Sequence, residues 1–477
     1  MRTQRNARQM ASCVIVSIGV AAVGVVTSAD VLAAGQAPGQ RQVTFTKDIA
    51  PILQRSCQNC HRPNGGLAPM PLTTFDEVRP WARAIKLRTS NREMPPWFIE
   101  KNVGIQKFKD DISLSDEEIA TIGAWVDHGA PRGNTADMPP SRVFADTNAW
   151  EIGTPDLVVS SPFITVQAVG GDVHSPKVGF TSTGLAEDRW IAAIEVKEFR
   201  PAEAQRTAGR PGGGNDYLVL HHQAISTEQP GGEDENPEAA GRRRAGALDY
   251  TYEVGQNATY MPADVGILLK AGGNIYFNSS HRHSIGKEVN FQIQVGFKLY
   301  PKDFTPKFPL GLQRLSTPRT GWGAELDIPG NADNVRVDKF YRLDKPARLA
   351  TFEPHLHASG KRMCAAAIYP DGRQEMLSCA GYNHAWVKSY AYDDDYAPLL
   401  PTGTIVHVMA WYDNTLKNRR VVDPRNWRGL GHRSIDDMFI FLSRWITYTE
   451  EEFKEQVAAR EAKRQKKMTT ATANNQQ

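Results

Sequence analysis

The chain has 477 residues, with 56 basic and 53 acidic side chains and a formal net charge of +3 at pH 7. This length exceeds what one hydrophobic core usually serves, so we expect two or three domains. Because the charges nearly balance, the chain offers no broad electrostatic field to nucleic acid or to an anionic membrane, and we predict neither as a partner.

The N-terminal segment, residues 1–34, has the pattern of a secretory signal peptide. Arginines precede an apolar run, and small residues after it offer cleavage points. A retained membrane anchor is the alternative, but Ser17, Gly19 and Gly24 interrupt a run that is already short. No later segment is apolar enough to span a bilayer. We therefore expect the mature protein in the periplasm or outside the cell, where disulfides are permitted.

The sequence Cys57-Gln58-Asn59-Cys60-His61 meets the requirements for covalent attachment of a c-type haem. The two thiols can add to the haem vinyl groups, and His61 can bind the iron. The alternative is a chance C-x-x-C or half of a zinc site, but no second pair of zinc ligands follows at short range.

A methionine is the expected second axial ligand of this haem. Met94 lies in Arg92-Glu93-Met94-Pro95-Pro96-Trp97, on a turn stiffened by proline, and is our first choice. Met70, in Ala68-Pro69-Met70-Pro71-Leu72, is the competitor. Either one could instead be a core methionine.

Helical patterns extend over residues 45–133, which we predict to be a small all-α, cytochrome c-like haem domain. An apolar stripe over residues 48–55 leads into the haem motif, and residues 75–87 are a second helix candidate. A capping box begins at Ser115, and apolar residues follow it at helical spacing until Gly129.

Beyond a linker at residues 134–152, rich in Pro, Asn and Asp, the hydrophobic period becomes that of strands. Residues 289–299 alternate strictly between apolar and polar, which predicts a half-buried strand, whereas residues 405–411 are apolar enough for burial on both faces. Many short strands with Gly and Pro turns indicate β-sandwiches. The segment is too long for one, so we predict two all-β sandwich domains, at residues 153–302 and 303–450.

Two charged segments complete this organisation. Residues 227–247 are predicted to be a solvated insertion loop whose charges serve solubility. The tail, residues 451–477, is predicted to be a charged helix up to Lys467, followed by a disordered stretch rich in Thr, Ala, Asn and Gln.

Two cysteines, Cys364 and Cys379, remain once Cys13 has left with the signal and the haem motif has taken its pair. They flank Tyr369-Pro370-Asp371-Gly372, a turn signal between two strand-like runs. A cross-strand disulfide is the natural inference, and two separate thiols are the alternative.

Histidines outside the haem domain form three groups: His221-His222, His281-Arg282-His283 and His355-Leu356-His357. Adjacent side chains on a regular strand point to opposite faces, so His221 and His222 can bind one metal only at a strand end or a bulge. His355 and His357 reach the same face without distortion. We leave the isolated His174, His384, His407 and His432 as surface or core residues.

Imidazole suits copper, zinc, iron and nickel alike, whereas a thioether favours Cu(I). Met438 follows Asp436-Asp437 at the exposed acidic start of a predicted strand. It could close a site with His355 and His357. The alternative is an ordinary core methionine.

These groups, in this order, resemble the copper type II, ascorbate-dependent monooxygenase family, which includes the peptidylglycine and dopamine β-monooxygenases. The resemblance covers roughly residues 151–448, and its fusion to a haem segment resembles bacterial proteins that join a cytochrome c module to this copper module. It implies two jelly-roll sandwiches, each contributing one of two copper ions, with a solvent-filled gap between them.

The resemblance also implies roles for the histidines. His221, His222 and one later histidine would hold an electron-storing copper; His281 is our choice for the third ligand, and His283 is the alternative. In the second site, O2 would bind and the substrate C–H bond would be attacked, with His355, His357 and Met438 as ligands.

The chain departs from the peptide-processing members of this family at the substrate-binding positions. Glu353 stands where they carry an arginine that grips the substrate carboxylate, and Ile440 and Leu442 replace the assisting Asn and Tyr. A substrate carboxylate would meet repulsion and apolar surface here, so peptidyl-glycine is not the expected substrate.

The combined pattern predicts a copper-dependent monooxygenase that hydroxylates a C–H bond of a small organic substrate with O2. Electrons would be stored on the two coppers and supplied through haem c, by ascorbate or another one-electron donor, including a donor protein. The first alternative is a haem and copper protein that transfers electrons or binds copper without hydroxylating. A third reading is a structural sandwich with hydrogen-bonded core histidines.

Overall fold

The computed structural model describes residues 42–63, 68–144, 149–170, 173–200, 219–227, 248–255, 258–315, 326–433 and 435–474. The predicted signal peptide and nearly all of the predicted insertion loop lie outside these ranges. Within them, no helix combines the length and the hydropathy needed to cross a bilayer.

Helices occur near the start and at the end of the described chain. They are α1 (Ala50–Ser56), α2 (Phe75–Val78), α3 (Ala82–Ser90), α4 (Asp116–Asp127) and α5 (Glu450–Asn474), with a π-helical turn at Phe45–Ile49 and 3₁₀ turns at Arg79–Trp81 and Thr135–Asp137.

Local sequence sets the helix ends in the N-terminal part. The predicted capping box is confirmed: the Glu118 amide donates to Ser115 Oγ at 3.1 Å, and the Ser115 amide donates to the Glu118 carboxylate at 2.8 Å. The helix predicted over residues 75–87 is divided by the turn at Arg79–Trp81, because Pro80 lacks an amide hydrogen for the helical ladder. Ile122 and Trp125 of α4 are buried with Phe45, beside the first helical turns.

Strands make up most of the ordered remainder, in agreement with the predicted β-rich fold. They are β1 (Ile99–Gly104), β2 (Leu157–Ser160), β3 (Ile164–Val166), β4 (Val173–Ser182), β5 (Arg189–Phe199), β6 (Leu220–Ser226), β7 (Asp249–Glu253), β8 (Thr259–Tyr260), β9 (Val265–Leu269), β10 (Asn274–Arg282), β11 (Val289–Leu299), β12 (Phe308–Leu315), β13 (Val335–Arg342), β14 (Ala347–Leu349), β15 (Thr351–Phe352), β16 (Pro354–His355), β17 (Gly360–Ile368), β18 (Gln374–Gly381), β19 (Tyr390–Ala391), β20 (Leu399–Leu400), β21 (Ile405–Tyr412) and β22 (Ile440–Thr447).

One long sheet runs through both β-rich halves of the chain. Its main path is β2-β11-β5-β9-β12-β22-β14-β20, with β3, β8 and β16 paired at its sides. A four-stranded sheet has the order β4-β10-β6-β7, and a five-stranded sheet has the order β1-β18-β17-β21-β13. Strand β12 pairs with β9 in parallel and with β22 antiparallel, so the long sheet crosses the predicted domain boundary at residue 302.

Two apolar cores lie along this sheet. The first, which includes Ile225, Phe277 and Phe297, joins the four-stranded sheet to the first half of the long sheet. The second, which includes Val408 and Phe441, joins the five-stranded sheet to the other half.

Strand β22 belongs to both halves. Its odd-numbered residues Phe441 and Trp445 enter the second core, whereas Ile446 enters the first. Met438, Ile440 and Leu442, on the even-numbered face, form a separate small apolar cluster. Because side chains alternate along a strand, this face looks away from the second core.

The segment after Met94 leaves the helical part of the predicted haem domain. Strand β1 pairs with β18 at the edge of the five-stranded sheet, and Trp97, Ile99 and Phe108 are buried in the second core. The chain that leaves the helices therefore continues directly into the five-stranded sheet and its core.

The pattern-based strand predictions hold in part. In β11, Val289, Phe291 and Ile293 are buried and alternate with more exposed residues, as predicted. Strand β21 is central in its sheet, but only its even-numbered face is uniformly buried, because Ile405, His407 and Trp411 stay partly exposed.

The predicted disordered end of the tail is wrong. Helix α5 continues to Asn474, past Lys467. Lys463 and Lys467 both pair with Asp395 at 3.0 and 2.9 Å, and alanine and methionine in this stretch favour helix.

The predicted disulfide is confirmed: Cys364 and Cys379 are bonded and lie opposite each other on β17 and β18. Replacing both by alanine should lower the free energy of unfolding by about 3 kcal/mol, the typical cost of losing a cross-link over a loop of this length. The measurement is the denaturation midpoint of the oxidised protein. The control is the same comparison with a reductant present, where the native and alanine proteins should have nearly equal midpoints. Equal midpoints for the two oxidised proteins would contradict the expectation.

Candidate metal centre

The first histidine pair sits on a β-bulge. Between β10 and β6, His281 lies opposite His222, but the next residue, Arg282, lies opposite Leu220. His221 is therefore the extra residue on β6. A bulge redirects a side chain that regular alternation would place on the opposite face. From the sequence, His221 and His222 could bind one metal only at a strand end or a bulge, and the bulge is present.

The four-stranded sheet places further groups beside this pair in one cross-strand row. His174 on β4 lies opposite His281 on β10, which lies opposite His222 on β6, which in turn lies opposite Glu253 on β7. Directly opposed residues put their side chains on the same face. The row therefore presents three imidazoles and one carboxylate on a single surface.

The second histidine pair lies against the even-numbered face of β22. His355 on β16 is opposite Ile440, and the Leu442 amide donates to the Glu353 carbonyl at 3.0 Å. The pairing ends at His355; two residues further along the same register, His357 would face Met438. A common face for His355, His357 and Met438 stays a prediction from the resemblance.

Asp437 holds the backbone segments that carry His357 and Met438 together. Its Oδ1 accepts from the backbone amides of both His357 and Met438, each at 3.0 Å, and its Oδ2 accepts from the Ser359 amide at 3.1 Å. The sequence predicted an exposed acidic start to this strand, but Asp437 is fully buried. Burial raises its pKa to about 6, and the hydrogen bonds from Ser359 and the amides oppose that rise.

A carboxylate links the two halves of the site. His355 Nδ1 donates to Glu253 Oε1 at 2.8 Å, so an acid at the end of the row in the four-stranded sheet holds an imidazole on β16. A carboxylate on one ring nitrogen fixes the tautomer and leaves the other nitrogen with its lone pair. This arrangement is typical of histidines that ligate metals.

Together these elements bring nine histidines into one cluster, whose neighbouring ring centroids lie 4.6–6.5 Å apart. Its members are His174, His221, His222, His281, His283, His355, His357, His384 and His432. The two predicted groups touch directly, at 5.8 Å between His222 and His355 and at 6.3 Å between His281 and His357. The solvent-filled gap that the resemblance implies does not separate these rings.

The His281 ring lies closer to the predicted set than the His283 ring. Rings of His221, His222 and His281 form a mutual triangle with centroid separations of 6.0, 5.3 and 5.3 Å. His283 contacts His221 at 5.0 Å and His281 at 5.8 Å. This geometry favours His281 as the third ligand of the first site.

Burial keeps three of these imidazoles uncharged. It lowers the pKa of His221, His222 and His357 well below the ordinary value, and the neighbouring histidines lower it further. His221 Nε2 and His222 Nδ1 are buried without a hydrogen-bond partner, and the two buried ring nitrogens of His357 have only the Asp436 backbone within reach. Neutral imidazole is the form that binds a metal, and unsatisfied buried nitrogens call for a ligand that the protein itself does not supply.

Copper fits this donor set by chemistry and spacing. Because an imidazole nitrogen lies ~2.0–2.1 Å from a bound metal, two rings that share one ion have centroids about 4.5–6.2 Å apart, which matches the separations in the triangle above. As placed, however, the described His, Cys, Asp and Glu side chains include no group of three that could hold an ion. Ligation therefore requires the rings to turn about their side-chain torsions.

The haem motif also has a ligand-like arrangement. His61 Nδ1 donates to the Met70 carbonyl at 3.1 Å, which leaves Nε2 for iron. Cys57 and Cys60 are not bonded to each other. Burial raises the pKa of Cys57 to about 12 and also raises that of Cys60. The motif thus presents two protonated thiols and one oriented imidazole.

The two candidate axial methionines differ in their surroundings. Met70 packs against the helical core, and its own carbonyl binds the nitrogen of His61 that faces away from the iron position. Met94 is 43% exposed, so its thioether is accessible to a ligand. The choice of Met94 over Met70 stays a prediction.

Lys388 joins the haem motif to the second core. Its Nζ lies 5.5 Å from the centroid of the Trp97 ring, and its charge acts on the Cys60 thiol. Burial lowers the pKa of Lys388, and Asp110, Glu151 and Cys60 oppose this. The neighbouring Ser389 donates to Glu353, two residues before His355. Residues 388 and 389 therefore connect the haem motif to the histidine cluster.

Glu353, where the peptide-processing family members carry arginine, is also part of this interior. It is 1% exposed, and burial raises its pKa to about 7, while the charge of Arg444 opposes the rise. Arg444 follows Leu442 on the even-numbered face of β22 and lies over the Tyr250 ring at 4.4 Å. The carboxyl therefore already has a counter-charge within the protein.

Sequence reasoning missed three members of the cluster. His174, His384 and His432 were assigned to the surface or core because each stands alone in the sequence; only the fold brings them to the other six. The remaining isolated histidine, His407, lies elsewhere, with its Nε2 2.6 Å from Asp338 Oδ1.

Comparisons with known proteins do not assign a family. No protein-family model matches the chain, and no curated protein matches it. Among solved structures, the Broad Bean Stain Virus structure matches with 7% identity and a TM-score of 0.26 over 65% of this chain and 95% of that one. The major capsid protein P2 of bacteriophage PM2 matches with 8% identity and a TM-score of 0.20 over 53% and 97%. Such low scores carry no argument about fold or function.

Glu253 gives a direct test of the metal centre. Glu253→Gln keeps the size of the side chain but removes the charge that orients His355, so Cu(I) affinity should fall by about 10- to 100-fold. Competition with a chromophoric Cu(I) chelator measures this. Glu375→Gln, at an exposed position in β18, is the matched control. Equal affinities in the two variants would count against the site.

The axial ligand can be tested by paired substitutions. Met94→Leu should abolish the thioether-to-iron charge-transfer band of the ferric haem and lower its reduction potential, because an axial thioether raises that potential. Met70→Leu should change neither. The reverse pattern would assign the iron to Met70.

Proposed function

We propose that this chain is a secreted copper-dependent monooxygenase with an attached haem c. Its substrate is a small organic molecule, one C–H bond of which becomes C–OH, with O2 as the oxygen source. The supporting observation is the meeting of two histidine groups, distant in sequence, in one buried cluster on facing β-elements. In this proposal the β-rich halves are the two jelly-roll domains of the family, and the helices around the haem motif form the cytochrome c-like domain.

The residues divide into two copper sets and one haem set. His221, His222 and His281 hold the electron-storing copper, and His355, His357 and Met438 hold the copper where O2 and substrate react. The haem is held by Cys57, Cys60, His61 and Met94. Reduction of the second oxygen atom to water requires two electrons and two protons. When bound, the two coppers would supply the two electrons.

The protein's own groups prepare these sites before any metal binds. Glu253 orients His355, and Asp437 holds the backbone at His357 and Met438 together. Burial keeps His221, His222 and His357 neutral and excludes bulk water from the cluster, where His281 and His357 are at most 1% exposed. These features lower the reorganisation needed for ligation and protect the reacting atoms.

The position of the haem motif supports its role as the electron supply. Lys388 contacts Trp97 and acts on Cys60, and Ser389 bonds to Glu353 near His355. One short segment thus acts electrostatically on the haem motif and bonds to a residue beside the histidine cluster. Ascorbate or a donor protein would then need to reduce only the haem.

The surroundings of Met438 favour an apolar substrate. Ile440, Leu442 and the partly buried Leu430 pack with Met438, and the carboxyl of Glu353 is nearby. None of these groups is cationic, and the charge of Arg444, further along the same face of β22, already acts on the Glu353 carboxyl. We therefore propose a neutral, largely apolar substrate.

A second candidate function follows from the degree of burial. The five predicted histidine ligands are at most 7% exposed, which also suits a centre that transfers electrons or holds copper without admitting a substrate. Under this alternative the same ligands bind copper, but no substrate is hydroxylated.

One experiment separates the two candidates. Haem- and copper-loaded protein is reduced and exposed to isotopically labelled O2 with a panel of apolar small molecules, and products are analysed by mass spectrometry. The proposal expects label in an alcohol product, with loss to background in His355→Ala and His357→Ala and retention in the His407→Ala control. Bound copper with no labelled product from any substrate would favour the second candidate. A reduced haem that never reoxidises through the coppers would remove its supply role.

A further inference from the structure

His384 lies between the two predicted copper groups, although it belongs to neither. It follows β18 by three residues, and its ring is 4.6 Å from that of His221 and 5.5 Å from that of His357. The His281 ring is 6.5 Å away. His384 therefore contacts a ligand of each group: His221 of the first and His357 of the second.

Tyr382 sets the tautomer of His384. The Tyr382 hydroxyl donates its single hydrogen to the Leu356 carbonyl, which can only accept. Its oxygen can then serve His384 Nδ1, 3.4 Å away, only as an acceptor. Nδ1 therefore carries the hydrogen of the neutral ring, and Nε2 keeps the lone pair that a metal needs.

The same contact fixes the position of His384 relative to the second group. Leu356 is the residue between His355 and His357, so the Tyr382 hydrogen bond ties the segment that carries His384 to the peptide joining these two ligands. Tyr382 is itself buried, and burial raises its pKa well above the ordinary value, so it remains a hydroxyl.

The spacing of the rings suits ligation. Separations of 4.6 Å to His221 and 5.5 Å to His357 both lie within the range of about 4.5–6.2 Å for two imidazoles on one ion. Because the His384 ring is within ligation distance of both groups, a copper ion bound to it would lie close to the ligands of both. The two ions would then be close to each other.

We propose that His384 is an additional copper ligand, bound to one ion through Nε2, and that its position between the two groups makes them one closely spaced dicopper centre. This inference rests on the proposed function, because it assumes that the six ligands assigned above bind copper. It adds a seventh ligand and places the two ions within one cluster, where the resemblance implies two separated sites.

The test uses the full haem-containing chain loaded with copper. Native protein should bind two Cu(I), and its oxidised form should show copper electron paramagnetic resonance signals broadened by spin interaction, with fewer than two copper spins per chain once the signal of the ferric haem is subtracted. His384→Ala should weaken the binding of at least one copper more than about 10-fold, and should either lose that ion or give isolated copper signals. Added imidazole should partly restore the affinity by occupying the vacated volume.

Two further variants separate ligation from folding. His384→Gln keeps a donor toward Tyr382 but lacks the aromatic nitrogen, so it should bind copper as weakly as His384→Ala while melting at the native temperature. His407→Ala removes a histidine outside the cluster and should match the native protein in both copper readouts.

The outcomes distinguish this inference from the function beneath it. The role of His384 would be overturned if His384→Ala bound two coppers with native affinity, or if the native protein gave two non-interacting copper signals. Either result would leave the monooxygenase proposal standing. A native chain that binds no copper would overturn both.

Discussion

The burial of uncharged imidazoles against one another is the constraint on which the site depends. A buried polar atom without a hydrogen-bond partner costs about 1–3 kcal/mol, and His221, His222 and His357 together carry at least three such nitrogens. A bound ligand would offset this cost. Metal ligation is the simplest compensation, because one ion satisfies several lone pairs at once.

The β-framework explains how the cost is sustained. A bulge at His221, a cross-strand row ending at Glu253 and the buried even-numbered face of β22 each direct side chains toward the same place. Each is a backbone feature anchored in one of the two large apolar cores. The cluster is therefore held by elements whose stability comes from burial elsewhere, and this allows the site itself to be energetically unfavourable without a metal.

Positioning groups matter here as much as ligands. Glu253 and Asp437 are both buried carboxylates, yet they act differently: Glu253 holds an imidazole ring, whereas Asp437 holds the backbone at His357 and Met438. On the haem side, the Met70 carbonyl orients His61 in the same way as Glu253 orients His355. In each case one nitrogen of the ring is occupied, which directs the other toward a metal position.

The sequence by itself determined what depends on local spacing: the haem motif, the capping box at Ser115, the alternation of β11, the Cys364–Cys379 pair and the three histidine groups. Hydrogen-bonding geometry and side-chain periodicity act over a few residues, so these patterns can be recognised in the sequence without knowledge of the fold. The sequence failed where packing overrode local pattern, as in the burial of Asp437 and the helical end of the tail. Only the tertiary structure decided which distant residues meet: the contact of His222 with His355, the bond from His355 to Glu253, and the inclusion of His174, His384 and His432. Strand pairing across a hundred residues or more fixes these neighbours, and no single stretch of sequence carries that register.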